Sequence, residues 1–294
     1  MIQTLYLGRI EYGEALTLQA EIATLRLENR VGNVLLLLEH PPVLTLGRNA
    51  NRANVLASDE LLAARGITLH AINRGGDVTY HGPGQLIGYP IFDLRSLQKD
   101  GSGVPNDRSS SLGRGSRLGP VDFVRRMEEA LIRLCGVYGL RANRIPGLTG
   151  VWCGQDPPQI SSKEPPPAGP KKIAAIGIHV ARGITTHGFA FNLITDLRDF
   201  QLIHPCGITD KPVTSLAAEL ANLNHGPAAL PTLEEFAHQA ARQFGLVFGQ
   251  QILAVGSLAE LRARARTFPA EDTPLEIPRE LERLHTRAEP PVRA

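Results

Sequence analysis

The chain has 294 residues, of which 43% are hydrophobic and 20% are charged, and its formal net charge is +2. This composition is typical of an ordinary soluble globular protein, and the small net charge argues against nucleic acid or an anionic membrane as a partner. No apolar run approaches the roughly 20 residues that a membrane-spanning helix needs.

The N-terminus and the cysteines indicate the compartment. The first residues carry neither a basic segment nor a long apolar core, so they do not predict a secretory signal. The three cysteines lack paired spacing, which argues against a disulfide framework and against a zinc site. We therefore expect a cytoplasmic protein without a bound metal.

The first quarter of the chain predicts a mixture of strands and helices. Strands are expected at residues 2–7, 34–38, 43–46 and 67–73, and helices at residues 12–29 and 61–65. The continuous apolar run at residues 34–38 is typical of a strand that is buried on both faces.

Residues 74–89 form a glycine-rich stretch with five glycines and one proline. An ordinary helix is excluded here, since each glycine costs about 1 kcal/mol relative to alanine. We predict a strand at residues 77–80 between two glycine turns, followed by a second strand at residues 86–94. The Gly75–Gly76 pair allows close backbone approach and offers N–H groups to an anion or a carbonyl oxygen.

Two charged or titratable residues flank this glycine pair. Arg74 is a fixed cation, and His81 is expected to titrate near neutrality. In the alternative interpretation, both side chains only satisfy backbone groups of a glycine-rich hairpin.

The second half of the chain contains two segments of unusual composition. Residues 99–118 are rich in Gly, Ser, Asp and Arg and predict a mobile loop, and residues 154–170 contain six prolines and predict an extended loop. Between them, apolar residues at helical spacing predict a helix at residues 122–138, with Cys135 as an inert core residue.

Further elements are predicted after the second loop. We expect strands at residues 172–180 and 188–193, a loop at 204–207 and helices at 214–223 and 233–244, the last with Thr232 as its N-cap. Strands and helices mix without strict alternation, and several strands are joined by short turns. The fold class is therefore α+β, with a mixed, largely antiparallel sheet and packed helices.

Several ordered motifs together resemble the lipoyl(octanoyl) transferases, the acyltransferases that begin protein lipoylation. The motifs are residues 39–48, 74–89, 172–177, 187–192 and 204–207, and the resemblance extends from about residue 2 to about residue 250. It implies the catalytic architecture of biotin-protein ligases and lipoate ligases. The expected domain is residues 1–255, with the two insertions, and residues 256–294 are a C-terminal extension of unknown role.

The resemblance implies a nucleophile and a base. Cys206 would take an octanoyl group from octanoyl-acyl carrier protein as a thioester, and Lys172 would lower the thiol pKa and move the proton. The composition agrees, because Cys206 lies between Pro205 and Gly207 and a thiol with a pKa of about 8.5 needs a nearby cation. A desolvated Lys172 would have a depressed pKa.

The expected acceptor is a lysine on the lipoyl domain of a 2-oxoacid dehydrogenase or on the glycine cleavage H protein. No cofactor is expected. The implied substrate-binding residues are Arg74, Gly75, Gly76, Asp77, Val78, Thr79, Tyr80, His81, Ala175, Ile176, Gly177, Gly188, Phe189 and Ala190. The last two triads suit an eight-carbon chain, whose burial would favour binding by roughly 5 kcal/mol before entropic losses. The Gly75–Gly76 N–H groups could stabilise the oxyanion of a tetrahedral intermediate.

Three alternatives stay open at this stage. An ATP-dependent lipoate or biotin ligase would share the fold and the glycine-rich motif but needs no cysteine at position 206. A thiol hydrolase would pair Cys206 with His81 or His204. A lipoyl-domain binder would have no catalytic activity.

Overall fold

The computed structural model describes residues 1–97, 117–154, 169–204, 211–222 and 230–267. Cys206 lies outside the described residues, as do residues 99–116 and 155–168 of the two predicted insertions.

The described residues form eleven strands and six α-helices. The strands are β1 (Ile2–Arg9), β2 (Asn33–Glu39), β3 (Val43–Leu46), β4 (Thr68–Ala71), β5 (Val78–His81), β6 (Gln85–Ile91), β7 (Asn143–Ile145), β8 (Leu148–Cys153), β9 (Lys171–Ala181), β10 (Ile184–Asn192) and β11 (Ile252–Ala254). The helices are α1 (Tyr12–Leu27), α2 (Asp59–Ala64), α3 (Pro120–Val137), α4 (Leu216–Asn222), α5 (Leu233–Phe248) and α6 (Leu258–Thr267).

A large sheet organises the molecule. Within the described ranges it has eight strands in the order β11-β1-β2-β6-β10-β9-β8-β7. The β1 strand pairs in parallel with β11 and β2, whereas every other neighbouring pair is antiparallel. This mixed, largely antiparallel sheet with packed helices confirms the predicted α+β fold.

The two faces of the large sheet carry different helices. On one face, α3 and α5 cover an aromatic core in which the rings of Phe92, Phe123 and Phe248 lie 5.4 to 5.6 Å apart. On the other face, α1 and α6 contribute Ile22 and Leu261 to a second cluster. The central strand β2 contributes buried side chains to both faces, as its continuous apolar run predicts.

A small sheet carries the glycine-rich stretch. Its strand order is β4-β3-β5, with β3 parallel to β4 and antiparallel to β5. Leu44 and Val78 anchor this sheet in a third apolar cluster, which also contains Phe200. The loop between β4 and β5 therefore has a fixed position beside the large sheet.

Several predicted boundaries are wrong. Leu118 is not part of a mobile loop, because its apolar side chain is buried and its N–H donates to Leu97 O at 3.1 Å. The strand predicted at residues 86–94 ends at Ile91, where Asp93 caps a short 3-10 helix, Leu94–Ser96. The strand predicted at 188–193 begins at Ile184 because a two-residue turn, Arg182 and Gly183 at φ 51° and 84°, closes the β9–β10 hairpin.

Other predictions about local structure are confirmed. Cys135 is buried on the apolar face of α3, where burial raises the pKa of its thiol well above the ordinary value. Thr232 caps α5 in a capping box with Glu235. None of the helices in the described ranges combines the length and the apolar composition needed to cross a membrane.

Candidate active site

The β9–β10 hairpin builds one wall of the candidate site. Its register pairs Ala175 with Ala190 and Gly177 with Gly188. Side chains alternate along a strand, so Ala175 and Gly177 lie on one face of β9 while their neighbours lie on the other. Because these residues are small, they leave a cleft between the large sheet and the glycine-rich loop. A Cβ atom on Gly177 would lie 2.8 Å from Gly75 O and would close that space.

Arg74 fixes the conformation of the glycine-rich loop. Its guanidinium donates to Gly75 O at 2.9 Å, to Thr45 O at 3.0 Å and to Asp77 O at 2.8 Å. Gly75 N–H in turn donates to Ile178 O at 3.0 Å, which ties the loop to β9. Arg74 is buried, and in this structure it satisfies backbone carbonyls, as the hairpin interpretation expects.

The central cleft lies between the hairpin and this loop. Five of the eight predicted residues of the loop line it together with both predicted triads of the hairpin. The lining comprises Arg74, Gly75, Gly76, Thr79, His81, Ala175, Ile176, Gly177, Gly188, Phe189 and Ala190, with Tyr12, Ile87, Tyr89 and His187 as further members. The structure therefore brings three distant segments of the sequence into one site.

Three of the predicted substrate residues lie elsewhere. Val78 is buried in the third apolar cluster, and Tyr80 packs on Phe200 and donates its hydroxyl proton to Asp199 at 3.0 Å. The Asp77 carboxylate accepts from Asn51 N at 3.1 Å and from Val78 N at 2.7 Å. These side chains shape the loop without lining the cleft.

Lys172 lies at the end of β9 that is remote from the hairpin turn. It is 8% exposed and lines a small cavity, the lysine pocket, which shares Thr79, Ala175 and Ala190 with the central cleft. Its ammonium group lies 4.6 Å from the centre of the Trp152 ring, a cation–π contact.

The segments on either side of Cys206 are both anchored, and the one after it is bonded to β9. Lys172 N–H donates to Pro212 O and Thr214 N–H donates to Lys172 O, both at 2.9 Å. On the other side, His204 N–H donates to Asn54 O at 2.7 Å. Cys206 thus follows one anchored residue and precedes another, although it lies outside the described residues itself.

His81 differs from its predicted behaviour. Burial, with a smaller contribution from His40, lowers the pKa of His81 to about 3, so this side chain does not titrate near neutrality. Its Nδ1 lies 2.8 Å from Gln85 Oε1, an acceptor, and therefore carries the proton. His81 is a neutral hydrogen-bonding group at physiological pH.

A buried hydrogen-bond chain runs from His81 toward the lysine strand. Gln85 Nε2 donates to Asn192 Oδ1 at 2.8 Å, and Asn192 Nδ2 donates to Thr214 O at 2.8 Å. Thr214 is bonded to Lys172 through the backbone, so the chain connects the two ends of the site. The sequence contains a signal for this hydrogen-bond chain, because Gln85 and Asn192 are amides within otherwise apolar strand motifs. No role was predicted for them from the sequence.

His40 and Tyr89 form a second buried polar pair beneath the cleft. His40 Nδ1 donates to Ile10 O at 2.7 Å, so its Nε2 accepts a hydrogen bond from the Tyr89 hydroxyl, also at 2.7 Å. Burial lowers the pKa of His40 to about 4. The Tyr12 ring stacks near His81 and His40, at centroid distances of 6.1 and 5.0 Å.

The two cysteines within the described residues have unreactive environments. Cys153 and Cys135 are both fully buried, and burial raises the pKa of the Cys153 thiol to about 12. Neither thiol is therefore expected to act as a nucleophile. Within the same residues, no group of three or more His, Cys, Asp or Glu side chains is arranged to hold a metal ion.

Comparison with known proteins decides the family. The model of the lipoyl protein ligase A/B catalytic domain matches residues 11–245. An octanoyltransferase of Acidobacterium capsulatum is 54% identical over 268 residues, which cover 91% of this chain and 98% of that protein. The chain belongs to the octanoyltransferase family. A second family member, the octanoyltransferase of Koribacter versatilis, is 45% identical and covers 97% of both chains.

Solved structures agree with this octanoyltransferase fold. A lipoate-protein ligase A bound with ATP superimposes with a TM-score of 0.58 at 16% identity, covering 90% of this chain and 93% of that chain. A bipartite lipoate protein ligase from Thermoplasma acidophilum gives a TM-score of 0.58 at 17% identity, covering 90% and 91%. These likenesses show the architecture alone. As a member of the octanoyltransferase family, the chain is an acyltransferase.

Proposed function

We propose that this enzyme transfers an octanoyl group from octanoyl-acyl carrier protein to a lysine of a lipoyl domain, through a thioester on Cys206. The observation that carries the proposal is the position of buried Lys172 in a pocket that shares Thr79, Ala175 and Ala190 with a cleft lined largely by small residues. Lys172 lies at one end of these adjoining spaces, and the small residues Ala175, Gly177, Gly188 and Ala190 leave the space beside it. The name of the related octanoyltransferases supports the same acyl group.

The first half-reaction forms the acyl-enzyme. Lys172 takes the proton from the Cys206 thiol, and the resulting thiolate attacks the thioester carbonyl carbon of the donor. The carbon–sulfur bond to the carrier protein breaks, and its thiolate leaves with the proton that Lys172 returns. One thioester is exchanged for another, so the step needs no ATP.

The second half-reaction delivers the acyl group to the acceptor. The neutral ε-amine of the lipoyl-domain lysine attacks the Cys206 thioester, an amide forms, and Cys206 leaves as a thiolate. Lys172 accepts the proton that the amine loses and gives it to the sulfur. Amide formation from a thioester is downhill, which drives the overall transfer.

The oxyanion of either step needs donors other than Gly75. The Gly75 N–H already donates to Ile178 O, which lies at the opposite end of the cleft from Lys172. The suggested oxyanion role of this N–H therefore does not fit this structure.

The two enzymatic alternatives are weaker than transfer. A hydrolase that uses His81 as its general base would need a basic imidazole, but burial lowers the pKa of His81 to about 3. An ATP-dependent ligase would share the fold. The relatives that match most of this chain at 45–54% identity are named octanoyltransferases, which favours transfer.

A transfer assay without ATP tests the proposal. Purified enzyme, octanoyl-acyl carrier protein and a lipoyl domain are incubated, and the mass of the lipoyl domain is measured. We expect one added octanoyl group on its lysine. Release of free octanoate without modification would indicate a hydrolase, and modification only with ATP and free octanoate would indicate a ligase.

A further inference from the structure

A third cavity continues the line of the site beyond the central cleft. This distal groove lies between α1 and the turn end of the β9–β10 hairpin. Its helical side is formed by the aliphatic residues Leu16, Ala20, Ala23 and Leu27 together with Gln19 and Thr24. The lysine pocket includes Lys172 and Ala175, the central cleft includes Ala175 to Gly177, and the distal groove includes His179 and Ala181. The three spaces therefore follow one another along β9.

His187 stands between the central cleft and the distal groove. Among the residues that the structure describes, it is the one residue that lines both spaces. The glycine-rich loop passes from one space to the other at the same place, because Asn73 lines the distal groove and the next residue, Arg74, lines the central cleft. The His187 ring bonds to this loop, with Nε2 2.8 Å from Asn73 Oδ1. The imidazole and the loop together form a partition.

The backbone of His187 is held in an unusual conformation. Its φ is 56°, a left-handed value that a residue with a side chain rarely adopts inside a strand. The Gln19 side chain of α1 accepts a hydrogen bond from His187 N at 2.7 Å and fixes this backbone. A non-glycine residue in this region costs on the order of 1–3 kcal/mol, and such strain is concentrated at functional sites.

The partition also leaves polar atoms unsatisfied. Within the described ranges, His187 Nδ1 and Gln19 Nε2 are buried without a hydrogen-bond partner, and both residues are at least nine-tenths buried. Unpaired buried polar atoms are unfavourable for stability. A partition whose only role was stability would not combine unpaired buried polar atoms with a strained backbone.

The length of the central cleft matches an eight-carbon chain. From the Ala175–Ala190 pair to the Ile178–His187 pair is three residues along β9, or about 10 Å at 3.3 Å per residue. A fully extended chain advances at most about 3.6 Å for every three bonds, so seven bonds span about 8 Å. An acyl chain whose carbonyl lies near the lysine pocket therefore ends at His187.

We propose that the His187 imidazole is the end wall of the acyl site and limits the substrate to medium-length acyl chains. This inference rests on the proposed octanoyl transfer. The distal groove behind the wall extends for three more residue pairs, to Ala181 and Ile184. The aliphatic residues of its helical side suit the tail of a longer chain, which the ring excludes.

The test is the substitution His187→Gly, because glycine adopts a positive φ without strain and removes the ring. Rates of transfer to a lipoyl domain are compared for carrier proteins loaded with eight-, twelve- and fourteen-carbon chains. Each methylene that leaves water favours binding by about fourfold, so we expect the ratio of kcat/KM for fourteen over eight carbons to rise by at least about 100-fold. An unchanged ratio would overturn the inference.

Two further variants test whether the effect on chain length comes from the His187 ring itself and whether the longer chain occupies the distal groove. Thr186→Gly removes the neighbouring side chain, which lines the distal groove alone, and should leave the chain-length profile as in the wild type. Ala20→Phe combined with His187→Gly fills the groove and should restore the preference for eight carbons. Long-chain activity that persists in the double variant would show that the tail takes another path.

The same experiment distinguishes failure of the inference from failure of the proposed function. If the wild-type enzyme transfers octanoyl but His187→Gly does not accept longer chains, the proposed function is retained and the inference that His187 ends the acyl site fails. If the wild-type enzyme transfers no acyl chain of any length, the proposed function itself fails. Thermal unfolding of each variant confirms that the comparison is made between folded proteins.

Discussion

The β9–β10 hairpin presents two contrasting faces to the rest of the molecule. Toward α3 and α5 it presents large side chains: the Phe191 ring lies 4.9 Å from Phe236, and the Phe189 ring, which also lines the central cleft, lies 5.5 Å from Phe244. Toward the glycine-rich loop it presents alanines and glycines, which leave the central cleft. The same two strands therefore hold the fold together on one face and leave room for a ligand on the other.

This difference separates stability from activity within single strands. Large buried side chains contribute burial free energy, and removing one leaves a cavity. Small residues beside a cleft bury little apolar surface and so contribute little to stability. They matter for activity because they leave space for a ligand. Substitutions on the helix-facing side should therefore lower stability, and substitutions along the cleft should lower activity.

The largest effect is expected at Lys172, on the cleft side. Lys172→Ala and Lys172→Arg should each lower kcat by roughly 10²- to 10⁴-fold, because arginine keeps the charge but does not release a proton. The melting temperature of Lys172→Arg should change little. Single-turnover kinetics with octanoyl-acyl carrier protein measure the loss, and near-wild-type turnover of Lys172→Arg would remove the proton-transfer role.

The next effect is expected at Phe244, on the helix-facing side. Phe244→Ala should lower the free energy of unfolding by about 3–5 kcal/mol through lost burial and a residual cavity. The folded fraction should keep a kcat close to that of the wild type. Denaturant unfolding with parallel rate measurements checks both statements. A large loss of kcat without a loss of stability would break the separation between the two faces.

A smaller effect is expected from pH acting on the buried histidines. The folded pKa of His40, about 4, lies below the ordinary value of 6.5, so the unfolded state binds more protons between these pH values. The contribution of His40 to the free energy of unfolding is complete above pH 6.5. It is lost as pH falls toward 4, by about 1.4 kcal/mol per pH unit for each such group.

The variant His40→Gln should therefore reduce the slope of unfolding free energy against pH between 6.5 and 5. Denaturant unfolding at several pH values measures this slope, and His238→Gln, at an exposed position on α5, is the matched control. Equal slopes in the wild type and in His40→Gln would show that His40 does not carry the effect.

The smallest effect is expected for the proline-rich insertion. Cys153 and Lys171 are already register partners in the β8–β9 pair, so a short glycine-containing turn can replace residues 155–168. We expect the melting temperature to change by less than about 5 °C, which corresponds to on the order of 1 kcal/mol. A larger fall would mean that the insertion packs on the domain, and altered turnover alone would link it to Lys172.

Local pattern is sufficient to predict much of the fold. The apolar run of β2, the periodicity of α3 and the Thr232 cap act through neighbouring residues, which the sequence displays directly. The resemblance to the lipoyl(octanoyl) transferases, and not local pattern, implies that the glycine-rich stretch and the two hairpin triads belong to one site, and residues of all three segments line one cleft.

The remaining properties depend on tertiary contacts. A short strand such as β5 does not reveal which face meets the cleft. Val78 and Tyr80 were therefore counted among the predicted substrate-binding residues, although their side chains belong to the third apolar cluster and not to the cleft. The low pKa of His81 depends on burial and on His40, which belongs to another motif. The position of His187 depends on Gln19, far away in the sequence.

Intact-mass measurement of the enzyme is the most direct test of the proposed covalent mechanism. Mixed with octanoyl-acyl carrier protein and no acceptor, the wild-type enzyme should gain one octanoyl group that hydroxylamine removes and that maps to Cys206. Cys206→Ser should lose turnover, whereas Cys135→Ser and Cys153→Ser should keep the adduct, because burial makes both of these thiols unreactive. An adduct on Cys153, or full turnover with no adduct at any time, would contradict the mechanism.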